Sequence, residues 1–157
     1  GAIIEIVLYT DGGTCRSNPG PMAYGIVGLK PTSGRTRCVL LEAHGMIDDG
    51  QRVGTNNEAE YLAVINGLKM VRKLGFTDVQ LCVDSELVCK QLRGEWSTKN
   101  AELQRLNTIT KSWIKGLRTF TVEHVPRTKN QQADRLANVA INLFKYQQEQ
   151  ADGEQET

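Results

Sequence analysis

Apolar residues in this 157-residue chain change their period once, and that change limits the fold more than any other feature. Up to Ile47 they fall in short β-branched runs. From Asn57 onward they recur at Tyr61, Val64, Ile65, Leu68 and Val71, the spacing of one helix face. The early runs are 3–10, 22–30 and 35–47, separated by the loop "DGGTCRSNPGP" and the turn "PTSG". Short connections of this kind predict an antiparallel meander of three strands. The spacing then predicts a helix over 57–74, a strand over 78–84, a short helix ending at Gly94 and a helix opened by Asn100. That third helix carries the stripe Leu103, Leu106, Ile109 and Trp113. A strand over 118–125 and a helix over 130–144 follow, the helix with Ala133, Leu136, Ala137, Ala140 and Leu143 on one side. Strands joined through helices should run parallel. The order β-β-β-α-β-α-α-β-α therefore predicts an α/β domain over residues 1–146: a mixed five-stranded sheet in the order 3-2-1-4-5, with helices on both faces. Residues 147–157 lack apolar periodicity and are expected to be an acidic, disordered tail.

Four acids fall where such a sheet would gather them. Asp11 follows the first strand and Asp84 the fourth, and in the order 3-2-1-4-5 these strands are parallel neighbours. Their carboxyl ends meet at the edge where the winding reverses, the usual ligand site of open α/β sheets. Glu60 shares a helix face with Val64 and Gly67. Gly67 weakens the helix by about 1 kcal/mol relative to Ala. A Gly at that position suits a helix pressed against the sheet, which would turn Glu60 inward. Glu58, about 200° around an ideal helix from Glu60, is expected to face solvent as an ordinary first-turn acid. Asp134 opens the last helix, on the side of Ala137 and Ile141. Taken singly, each acid has an ordinary use as a turn residue, a cap or a complement to a helix N-terminus. Taken together they form a set of hard oxygen donors suited to Mg²⁺ or Mn²⁺, with room for two ions.

Charge and cysteine content narrow the classes. The net charge of +1 conceals a basic body: residues 1–144 hold 18 basic against 14 acidic groups. With the four candidate ligands set aside, that body is +8, compatible with a polyanion partner. Cys15, Cys38, Cys82 and Cys89 show neither CxxC nor zinc spacing, which predicts free, buried or half-buried thiols. No apolar run approaches the roughly 20 residues of a membrane span. The N-terminus has no signal-peptide pattern, so an intracellular, cytoplasmic protein without a membrane partner is expected.

Four segments in order carry a resemblance: "YTDGGTCRSNPGPMAYG", "TNNEAEY", "VDSELV" and "HVPRTKNQQADRLA". From about Ile3 to Leu143 the chain resembles type 1 ribonuclease H. The resemblance implies a monomeric endonuclease that hydrolyses the RNA strand of RNA–DNA hybrids, leaving 5′-phosphate and 3′-hydroxyl ends. It implies two Mg²⁺ or Mn²⁺ ions on Asp11, Glu60, Asp84 and Asp134. It further implies hybrid contacts at Cys15, Asn18, Asn56 and Asn57, and a DNA-strand phosphate pocket at Thr55 and Asn100. Several positions depart from the family pattern. Only "STK" separates Trp96 from Asn100, so the basic handle of many members is missing. The loop "PRTKN" has no His, which leaves Arg127 and Lys129 as candidates for product release, and His124 is read as structural.

Overall fold

The computed structural model describes residues 4–32 and 37–155. The meander is β1 (Glu5–Thr14), β2 (Gly20–Leu29) and β3 (Val39–Met46). A two-residue strand, β4 (Val53–Gly54), precedes α1 (Asn56–Lys73). There follow β5 (Asp78–Val83), α2 (Glu86–Leu92), α3 (Ala101–Ile114), β6 (Thr119–His124) and α4 (Gln131–Gln155). The main sheet runs β3-β2-β1-β5-β6, with β4 pairing to β2 off that path. β1–β2 and β2–β3 are antiparallel, while β1–β5 and β5–β6 are parallel. The expected order is thus observed, its fourth and fifth strands being β5 and β6.

Side-chain alternation along β1 separates the two faces. Leu8 and Thr10 touch Gly67 of α1, where an added Cβ would stand 3.1 Å from each of them. Gly25, paired with Asp11, faces α4 on the other side, and a Cβ there would lie 2.0 Å from the Ala133 carbonyl oxygen. Helices therefore cover both faces. The α1 side holds the main core, in which Ile6, Leu8, Ile26, Tyr61, Val64, Leu68, Leu81 and Leu106 are each at most 1% exposed. Burial on this scale is the dominant stabilising term, roughly 1.5–3 kcal/mol for each large aliphatic side chain. On the α4 side the contact is made by small residues, the buried Ala133, Ala137 and Ala140, so the helix backbone sits close to β2.

Four expectations need correction. β1 does not end at Thr10; it continues through Asp11 to Thr14, because the glycines that read as a turn stay paired with Tyr24 and Ala23. The third strand begins at Val39; residues 35 and 36 lie outside the described residues. Leu143 is 48% exposed at the rim of the α4 contact, in a groove with Ala140 and the end of β3, since the stripe of alanines is narrower than a full apolar face. α4 also runs on to Gln155 through the stretch expected to be disordered. Residues 146–154 are exposed there, and Gln, Glu and Ala are good helix formers that need no packing partner to extend an existing helix.

Candidate active site

Thr55 opens α1 with a capping box: its hydroxyl accepts from the Glu58 amide at 3.2 Å, and the Glu58 carboxylate accepts from the Thr55 amide at 3.0 Å. Glu58 is therefore half-buried and turned back on the cap, not solvent-facing as its rotation suggested. The box fixes where α1 starts, and the start lies over β1. A Cβ on Gly12 would fall 2.1 Å from the Ala59 carbonyl oxygen, a closeness only Gly permits. The next residue is Glu60, and this approach delivers its carboxylate to Asp11.

Asp11, Glu60 and Asp84 offer one oxygen each within 4.8 Å of one another. Asp84 stands just past β5, where two groups hold it. Asn130 Nδ2 donates to Asp84 Oδ2 at 3.1 Å, and the His124 ring Nε2 lies 3.2 Å from the Asp84 main-chain oxygen. Asp134 is not part of the 4.8 Å set but lines the same cleft next to Asp11, with which its side chain is in hydrogen-bond contact, and Asn138 Nδ2 lies 3.5 Å from one of its oxygens. The cleft encloses about 360 Å³ between β1, the start of α1 and the first turns of α4.

Burial pushes the Asp11 carboxyl up to about 7; a hydrogen bond with Glu60 offsets part of this, while the charge of Asp84 and the hydrogen-bond contact and charge of Asp134 add to it. Burial also raises Glu60 well above the ordinary carboxyl range, followed by the effect of Asp11 and Asp84, against a lowering contribution from the Gly12 amide. Crowded, desolvated carboxylates behave this way when no cation compensates them. Glu60 Oε2 is buried with no hydrogen-bond partner, a costly state for a carboxylate oxygen. The donors are all hard oxygens, so the residues present fit a divalent cation of the Mg²⁺ or Mn²⁺ type.

The remaining expected residues divide. Asn56 and Asn57 line the cleft, and Asn18 Oδ1 accepts from the Asn56 amide at 3.1 Å. Thr14 Oγ1 donates to Asn56 Oδ1 at 3.0 Å. Thr55 and Asn100 are exposed caps of α1 and α3, and Asn100 Oδ1 accepts from Leu103 N at 3.0 Å. Arg52 bridges the two helix starts through Glu102 at 3.1 Å. Arg127 lines the cleft, but Lys129 turns to a neighbouring groove beside Tyr9 and Gln131, because a 3-10 turn over Arg127–Lys129 separates the two. Cys15 is 0% exposed, so it has no surface with which to touch a ligand. Sequence reasoning missed Asn130, which is 1% exposed at the mouth of α4; a polar residue four places before Asp134, so one helical turn away, was the available signal. All four thiols are free, and no described helix is long and apolar enough to cross a membrane.

Residues 13–140 match the family described as Reverse transcriptase-like. The solved N-terminal RNase H domain of rv2228c from Mycobacterium tuberculosis superposes with a TM-score of 0.81 at 36% identity, over 92% of this chain and 98% of that one. The chain belongs to the type 1 ribonuclease H family. Ribonuclease HI of Halobacterium salinarum is 39% identical over 138 residues, which is 85% of this chain and 63% of that protein. The chain spans 36% of the full-length mycobacterial protein. The structure of LC11-RNase H1 in complex with RNA/DNA hybrid matches with a TM-score of 0.75 at 32% identity, over 87% of this chain and 96% of that one. The ribonuclease H resemblance noted in the sequence is thereby borne out at the level of family and fold.

Proposed function

We propose that the chain is a metal-dependent endoribonuclease that hydrolyses the RNA strand of RNA–DNA hybrids to 5′-phosphate and 3′-hydroxyl ends. The observation that carries this reading is the close set Asp11, Glu60 and Asp84, with Asp134 beside Asp11 in one cleft. Two Mg²⁺ or Mn²⁺ ions bound there would lower the pKa of a water and neutralise the charge that builds on the phosphate and leaving oxygen.

Asp11, Glu60, Asp84 and Asp134 would hold the ions. The protein's own contribution is position. Rigid strand ends and a capped helix fix the carboxylates before substrate arrives, so little reorganisation is needed at the moment of reaction. On the cleft wall, the amides of Asn56 and Asn57 can donate to 2′-hydroxyls and minor-groove edges without reading sequence. Asn18 restrains Asn56 from behind. Thr55 and Asn100 stand at two helix N-termini, where main-chain amides and side-chain donors suit a DNA-strand phosphate. Arg127 would meet the cleaved strand as it leaves.

The test is a labelled hybrid incubated with the parent or Asp84→Asn in Mg²⁺ or Mn²⁺. The parent should cut only the RNA strand and the variant should not. Hybrid bound tightly by the parent without turnover in either metal, or cleavage that survives Asp84→Asn, overturns the reading.

A further inference from the structure

Asn130 makes no use of its position in the chemistry described so far, yet it touches three of the four acid-bearing segments. Its Nδ2 donates both to the Thr10 main-chain oxygen at 2.9 Å and to Asp84 Oδ2 at 3.1 Å. Its own main-chain oxygen accepts from the Asp134 amide at 3.1 Å. Thr10 directly precedes Asp11 in β1. One residue thus links the strand of Asp11, the carboxylate of Asp84 and the first turn of the helix carrying Asp134. Both side-chain partners are acceptors, so only the amide nitrogen can face them, and the orientation of the Asn130 side chain is fixed by chemistry. Its Oδ1 is left buried with no hydrogen-bond partner, so the side chain is retained in that orientation at a desolvation cost.

We infer that Asn130 is a positioning residue that sets the mutual placement of Asp11, Asp84 and Asp134 for divalent-cation binding. The inference rests on the metal-dependent reading above. By donating to Asp84 Oδ2, the amide restrains the rotation of that carboxyl beside Asp11 and Glu60. By anchoring to β1 in the same contact, it ties that carboxyl to the strand of Asp11. Partners that orient metal ligands in this manner typically account for roughly 10- to 100-fold in metal affinity or activity. Aspartate is the informative replacement: it has nearly the shape of asparagine but presents an acceptor to two acceptors. Serine is the second variant, shorter and unable to span both partners.

Mg²⁺ affinity is measured without nucleic acid, by calorimetry and by the rise in melting temperature with added metal, for the parent, Asn130→Asp and Asn130→Ser. Cleavage kinetics are measured alongside. Roughly 10- to 100-fold weaker Mg²⁺ binding is expected in both variants, with kcat falling by a similar factor. KM for the hybrid should stay within about threefold, because Asn130 is 1% exposed and does not meet substrate. A merely structural asparagine would lower the melting temperature while leaving the Mg²⁺ dependence unmoved, and that result overturns the inference. Weakened Mg²⁺ binding in variants of a parent that never cleaves hybrid would uphold the positioning role while sinking the hydrolase reading.

Discussion

Replacing Asp11 with asparagine should make the metal-free protein more stable and inactive at once. The Asp11 carboxyl stands at about 7 in the fold against an ordinary 3.8, raised first by burial and then by Asp84 and Asp134. A group raised on folding contributes its full stability below the ordinary value and loses it as pH climbs through the folded one. Here the window runs from about 4 to 7. At pH 8, where the buried carboxyl is ionised, it costs about 4 kcal/mol relative to a neutral isostere; at pH 5, where it keeps its proton in the fold but loses it in the unfolded chain, the cost is about 2 kcal/mol. Urea unfolding in EDTA should therefore show Asp11→Asn above the parent at both pH values, with the larger gap at pH 8. Saturating Mg²⁺ should then lift the parent by about 3 kcal/mol at a hundredfold excess over its dissociation constant, and lift the variant far less. A gap of equal size at pH 5 and pH 8, or no gap, would refute the claim that desolvated charge is stored at this site.

Three further outcomes follow from the geometry. Glu60→Gln should preserve the melting temperature and cut hybrid cleavage at least about 100-fold, whereas Glu58→Ala should lose about 1 kcal/mol by breaking the capping box and keep kcat; the two are separated by urea unfolding and single-turnover assays. Gly12→Ala should shift the start of α1, since its Cβ meets the Ala59 main chain at 2.1 Å, and calorimetry should show Mg²⁺ binding weakened along with a stability loss of about 1–3 kcal/mol. Hybrid affinity measured by fluorescence anisotropy should fall steeply with added salt, reflecting the +8 body; a flat response would mean that phosphate contacts contribute little.

The fold was legible because its main signals are periodic. The stripe from Tyr61 to Val71 is buried as its spacing requires, and the acids at 11 and 84 meet because β1 and β5 are parallel neighbours. Gly67 served as a correct pointer for Glu60, since a glycine on an inner helix face has few uses other than close approach. The burial of Cys15 agrees with the reading of the cysteines as free buried thiols and not with the contact that the resemblance implied for it, and the divergence of Lys129 from Arg127 was not legible, since it depends on how a short loop folds back on itself. The extension of α4 was missed for another reason: absence of apolar periodicity signals the absence of a packing face, and an exposed helix continued from a packed one does not need a packing face.

The glycines at 12 and 25 show where such reading must stop. Asp11-Gly12-Gly13 scores as a turn by every local rule, yet it is strand, and Gly12 is small because the Ala59 carbonyl occupies the space above it. Gly25 is small for the matching reason on the opposite face, under Ala133 of α4. A missing Cβ serves a left-handed turn and a close helix crossing equally well, so the local sequence cannot choose between them. Only the partner element decides, and here the partners are the two helices that carry Glu60 and Asp134. The same absence of side chains that obscures the strand in sequence therefore allows a carboxylate from each face to approach Asp11. Putting a side chain back at either glycine should disturb the acid on that face first, which makes Gly12→Ala a test of Glu60 placement and Gly25→Ala a test of Asp134 placement. If Gly25→Ala left Mg²⁺ binding and cleavage at the parent's level while lowering stability, the crossing would be a matter of packing alone.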